Sequence, residues 1–77
     1  MIKDKLAALD YHEFFMDEGR YIKMINHYAA FIVIDEKEHV LYGYLAVDDY
    51  INDAQQIADL QVAFWQLEKD LKELRGW

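Results

Sequence analysis

Carboxylates are the commonest side chains here that could do chemistry. The 77-residue chain has fifteen Asp and Glu against eight Lys and Arg, with three histidines and six tyrosines. Ser, Thr and Cys do not occur. Their absence removes the usual hydroxyl and thiol nucleophiles and every Ser/Thr phosphorylation switch, leaving Tyr as the phosphorylatable hydroxyl. His12, His27 and His39 lack the spacing of a metal site and have no Cys to help them, so neither a metal nor another cofactor is expected. Carboxylate pairs alone do not make an acid-base site, and so short a chain has little capacity to enclose a substrate pocket. The expectation is a protein without catalytic residues.

The acids are unevenly placed. From Asp35 to Glu68 there are eight of them (Asp35, Glu36, Glu38, Asp48, Asp49, Asp53, Asp59 and Glu68) and one base, Lys37. The rest of the chain is balanced, so the formal charge of −7 belongs to this stretch. Such a field repels nucleic acid and anionic lipid and attracts basic protein surfaces. One reading makes Asp35, Glu36, Glu38, Asp48, Asp49, Asp53 and Asp59 a partner-binding surface that imitates a phosphate backbone. The competing reading is structural: Asp48, Asp49 and Asp53 suit the first turns of a helix, where acids cap free N–H groups, and Asp35, Glu36 and Glu38 suit a solvated loop.

Aromatic residues supply a second candidate surface. Phe31, Tyr42 and Tyr44, with Tyr28 and Tyr50 near the ends, could anchor a protein contact, with Tyr42 and Tyr44 the best placed. Base stacking would need basic neighbours, which this region lacks, so direct nucleic-acid binding is not expected. The plainer alternative is that these rings complete a core or a dimer interface.

These candidates must be carried by a single small domain near the lower limit for a self-sufficient core. No cysteine is available for a disulfide, which points to a reducing cytoplasm, that of a host cell if the gene is viral. No basic segment leads into an apolar run, and no uncharged stretch is long enough to span a bilayer, so neither export nor membrane insertion is expected. Hydrophobic content of 55 % is more than so small a globule readily hides, which suggests self-association or a constant partner.

The pattern of residues predicts an α+β fold: a short N-terminal helix, three or four antiparallel strands and a long C-terminal helix packed on the sheet. Ile2, Leu6 and Leu9 share one face of a helix over residues 2–9. Gly19 suggests a three-residue hairpin loop between Tyr11–Met16 and Arg20–Ile25, in competition with one helix from Ile2 to Asp17 capped by that glycine. Tyr28–Ile34 and Val40–Val47 read as antiparallel strands joined by a charged five-residue loop. Their alternation puts Ile32, Ile34, Leu41, Leu45 and Val47 on aliphatic faces and Phe31, Val33, Tyr42 and Tyr44 on the opposite parity. Both sides of this hairpin therefore want cover.

Asp48 or Asp49 is expected to cap a helix running to about Arg75, with Ile57, Leu60, Phe64, Leu67, Leu71 and Leu74 as its apolar seam. At 1.5 Å per residue that helix spans about 40 Å, whereas the preceding strand spans about 26 Å. The overhanging leucines need helix 1 or a second chain to bury them. A homodimer is expected, with Phe64, Leu67, Leu71 and Leu74 or the aromatic sheet face at its interface.

Two functions follow as expectations. The first is a small acidic inhibitor that binds a protein partner with a basic surface, such as a nucleic-acid-handling or host-defence enzyme. Analogy of size and charge places it among the chains that phages and mobile elements direct against nucleases, polymerases or CRISPR effectors. The second is a homodimeric structural or regulatory adaptor whose contacts are apolar.

Overall fold

The computed structural model describes residues 1–47 and 53–77. The expected roles of Asp48 and Asp49, and of Tyr50, lie outside the described residues.

Helix α1 (Ile2–Ala8) buries Ile2 and Leu6, one turn apart, and leaves its lysines in solvent. It stops because Asp10 enters the left-handed region at φ 69° and the Tyr11 N–H returns to the Leu6 carbonyl at 2.9 Å. That stop decides against a continuous helix to Asp17. Strand β1 (His12–Glu13) follows, and its pairing with β2 (Arg20–Ile25) persists through a bond from the Phe14 N–H to the Arg20 carbonyl. The strand is shorter than Tyr11–Met16, and the connection from Phe14 to Arg20 is wider than a three-residue loop. Gly19 has φ +81° within it, and a Cβ there would lie 2.6 Å from the Ile34 carbonyl oxygen. Only glycine fits that position.

Asn26 and His27, both at positive φ, form a two-residue turn from β2 into β3 (Tyr28–Asp35). Such primed turns match the right-handed twist of hairpins. Asp35 Oδ1 then accepts the backbone N–H groups of Lys37 (3.0 Å) and Glu38 (3.2 Å), bending the chain toward β4 (Val40–Ala46). The result is one antiparallel sheet in the order β1-β2-β3-β4.

Helix α2 (Ala54–Leu74) is capped by Asp53, whose Oδ1 accepts from the Gln56 N–H at 2.7 Å. The helix thus begins several residues later than the expected cap at Asp48 or Asp49. At 21 residues it spans about 32 Å rather than 40 Å. It packs on β4 and β3, and its C-terminal end meets α1. Ala63, Leu67, Leu71 and Leu74 join Ile2, Leu6, Tyr11, Tyr21, Ile25, Ala30, Ile32 and Ile34 in one core.

Of the two ways offered to bury the overhanging leucines, helix 1 or a second chain, the structure shows the first. Leu67, Leu71 and Leu74 are buried within a single chain, because α1 closes over the helix end that was expected to overhang. Only Phe64 of the expected dimer-interface set stays exposed. Ile57 is also exposed, since the apolar seam drifts off the sheet toward the N-terminal half of α2.

Candidate interaction surface

Antiparallel register sorts the sheet into two faces, because directly opposed residues point the same way. Tyr21, Ile32 and Gly43 align across the strands on one face, as do Lys23, Ala30 and Leu45. This face lies under α2. On the other, Ile22, Phe31 and Tyr44 align, Arg20 aligns with Val33 and Tyr42, and Met24 aligns with Ala29 and Ala46. No described element covers this second face.

The open face is organised around rings. Phe14 meets Phe31 edge-on at 5.7 Å between centroids, and Phe31 stacks on Tyr44 at 5.1 Å. Phe15, adjoining Phe14 at 6.0 Å, is 90 % exposed, and Tyr42 is 50 % exposed. The Arg20 guanidinium lies over both Phe31 (5.9 Å) and Tyr44 (5.8 Å), where the ring faces attract a cation. Asp17 holds it from the side at 3.1 Å. The surface is apolar and aromatic, with one positive charge at its centre partly neutralised by an adjacent acid. Arg20 was missed in the sequence; its strand position opposite Val33 and Tyr42 was the available signal.

The described acids of the expected surface do not come together. Asp35 Oδ1 is occupied in capping its turn. Asp53 is engaged in capping α2, and Asp59 accepts from Gln55 Nε2 at 3.0 Å. Glu36 and Glu38 project from the exposed turn. These groups also lie far apart. The Tyr28 hydroxyl donates to the Gln56 carbonyl, so the start of α2 adjoins the start of β3, whereas Asp35 ends that strand about 23 Å away. Tyr28 consequently belongs to the covered side, away from Tyr42 and Tyr44.

The most chemically suggestive cluster is one that sequence reading missed. Asp70 is buried on α2 and accepts from the Tyr11 hydroxyl at 2.8 Å and from Lys23 Nζ at 3.2 Å, both on Oδ2. Gln66 Nε2 donates to its Oδ1 at 3.0 Å. Burial, then the bond to Asp70, pushes the Tyr11 hydroxyl far above the ordinary tyrosine range, so it remains a donor at any physiological pH. The signal in the sequence was an acid at a core position, with Leu67 three residues before it and Leu74 four after. The bonds from Tyr11 and Lys23 tie α2 to the β1 entry and to β2.

His39 sits at φ 55° and stacks on Trp77 at 4.4 Å. Trp77 in turn borders a cleft with Met1, Ile2 and Lys5, pinning the end of the chain beside α1. Among the described residues no three His, Asp or Glu side chains gather around a metal-sized space. No described helix is long and apolar enough to cross a membrane. Comparison with protein-family models, with curated proteins and with solved structures yields no match.

Proposed function

We propose that this chain is a protein-binding module that acts by contact through the open face of its sheet, against a partner presenting an apolar patch. The observation that supports this reading is the Phe14–Phe31–Tyr44 ring row, flanked by Tyr42 and Phe15, on a face that no described element covers. Aromatic groups of this kind, around a central arginine, are the usual energetic anchors of protein interfaces. Two of the seven acids expected to bind a partner, Asp35 and Asp53, cap backbone N–H groups, a role that needs no partner.

A photo-crosslinking residue in place of Tyr42, compared with one in place of the exposed Ala8 on α1, tests this in cells. Adducts at position 42 to a protein other than this chain, with none at position 8, support the reading; adducts at position 42 to this chain alone, equal capture at both positions, or capture at position 8 alone, overturn it.

A second reading rests on one observation. Glu36 and Glu38 are both exposed in the β3–β4 turn, and an inhibitor of a basic nucleic-acid-handling or host-defence enzyme would use them. Salt separates the two: contact led by charge weakens steeply with ionic strength, and contact led by rings does not.

A further inference from the structure

Strand β4 is the last in the sheet, and no described strand pairs with its outer edge. Proteins normally blunt such an edge with charge, proline or a bulge. Val40–Ala46 carries neither charge nor proline, and all seven of its residues pair in unbroken register with β3. Its central five residues, Leu41-Tyr42-Gly43-Tyr44-Leu45, read the same in both directions. A strand with that property is complementary to itself when turned end for end.

We propose that the outer edge of β4 pairs antiparallel with β4 of a second copy, about a two-fold axis at Gly43, joining two sheets into one of eight strands. In this register Tyr42 of each copy lies opposite Tyr44 of the other, and Leu41 opposite Leu45. Both tyrosine pairs fall on the open face and both leucine pairs on the covered face, so the two layers continue across the seam. Gly43 meets itself on the axis. Leu67 and Leu71 already press on it from α2: a Cβ at 43 would sit 3.2 and 3.3 Å from their methyl carbons. A side chain there would crowd the place where two helices converge.

The helices have room. Because α2 packs on β3 as well as β4 and its Asp70 reaches Lys23 on β2, its axis is set back from the outer edge of β4, and we take the set-back as about half a strand spacing. Two copies would then run antiparallel roughly 10 Å apart, near the usual helix-packing distance. The flank of α2 above the seam lines a cleft of about 230 Å³ with Gly43, Phe64, Glu68, Lys72 and Arg75. Reversal about the axis sets Glu68 of one helix near Lys72 of the other, and exposed Phe64 near Arg75. Acid meets base at both crossings, and Phe64 gains cover.

The proposal is independent of what the open face binds. It is tested by sedimentation equilibrium on the full chain with two double variants, Val40→Lys/Ala46→Lys and Val40→Glu/Ala46→Glu. Positions 40 and 46 are exposed, oppose each other across both ends of the seam and lie outside the ring row. Circular dichroism checks that each variant keeps the fold. The parent chain is expected to be a dimer, and each variant should dissociate about tenfold or more readily, because like charges face one another twice. An equimolar mixture should recover a mixed dimer at least as tight as the parent. A parent chain that stays monomeric at every concentration overturns the proposal, as does a dimer that neither variant weakens. The same holds if mixing restores nothing.

Discussion

The two faces of this sheet are both largely apolar and meet opposite fates. On the covered face Ala30, Ile32 and Ile34 lie beneath α2 and are buried. On the open face Phe31 and Val33 alternate with them along β3, Tyr42 and Tyr44 continue that face on β4, and all four remain in reach of solvent. One long helix can cover only one side. What separates the faces is side-chain chemistry: aliphatic residues and alanine admit a close helix, whereas rings and an arginine present a broad surface to something outside the chain. The covered face holds the fold together, and the open face is available for contact.

Substitutions should divide accordingly, and the largest effect is expected at Asp70. Asp70→Ala leaves Lys23 and Tyr11 without their buried partner and should cost about 3 kcal/mol or more in urea unfolding. A loss under about 1 kcal/mol would mean that this network does not tie the covered side together. Gly19→Ala comes next. Its left-handed backbone and the Ile34 carbonyl 2.6 Å from the added Cβ should lower stability by about 2 kcal/mol.

Tyr11→Phe should cost about 1 to 2 kcal/mol at neutral pH, since Asp70 loses a donor. It also sharpens the comparison through pH. The Tyr11 hydroxyl keeps its proton in the folded chain and releases it near 10.0, the ordinary tyrosine value, when unfolded. Its contribution is therefore complete below pH 10 and is lost progressively as the pH rises beyond that. Denaturant titrations from pH 9 to 11 should show the parent losing stability more steeply than Tyr11→Phe; parallel curves would contradict the assignment.

The smallest effect on stability belongs to the open face. At concentrations where the chain is monomeric, Tyr42→Ala and Phe15→Ser should stay within about 0.5 kcal/mol of the parent, because both side chains are at least half exposed. A loss like that at Asp70 would erase the distinction between the faces.

Periodicity made the architecture legible. Alternation along Tyr28–Ile34 and Val40–Val47 located both strands to within a residue at one end and sorted their parities, and the spacing of Leu67, Leu71 and Leu74 marked the buried stripe of α2. Alternation could not say which face the helix would choose, since both were apolar. Nor could it reveal that Gly43 lets Leu67 and Leu71 approach, or that Asp70 is matched by Tyr11 and Lys23 from 59 and 47 residues away. Those are long-range pairings that local pattern does not encode. The acids were visible as a cluster by count, but strand length and turn capping disperse the described ones in space.

The central claim, contact through rings rather than through charge, is tested most directly on the partner captured at position 42. Its affinity should be titrated at low and high salt for the parent, Tyr42→Ala/Phe15→Ser and Asp35→Asn/Glu36→Gln/Glu38→Gln, where asparagine retains the oxygen that caps the turn. The ring variant should lose at least about a hundredfold in affinity, and the acid variant should stay within severalfold of a parent that is nearly indifferent to salt. Binding that collapses in the acid variant and at high salt, while the ring variant binds normally, would contradict it.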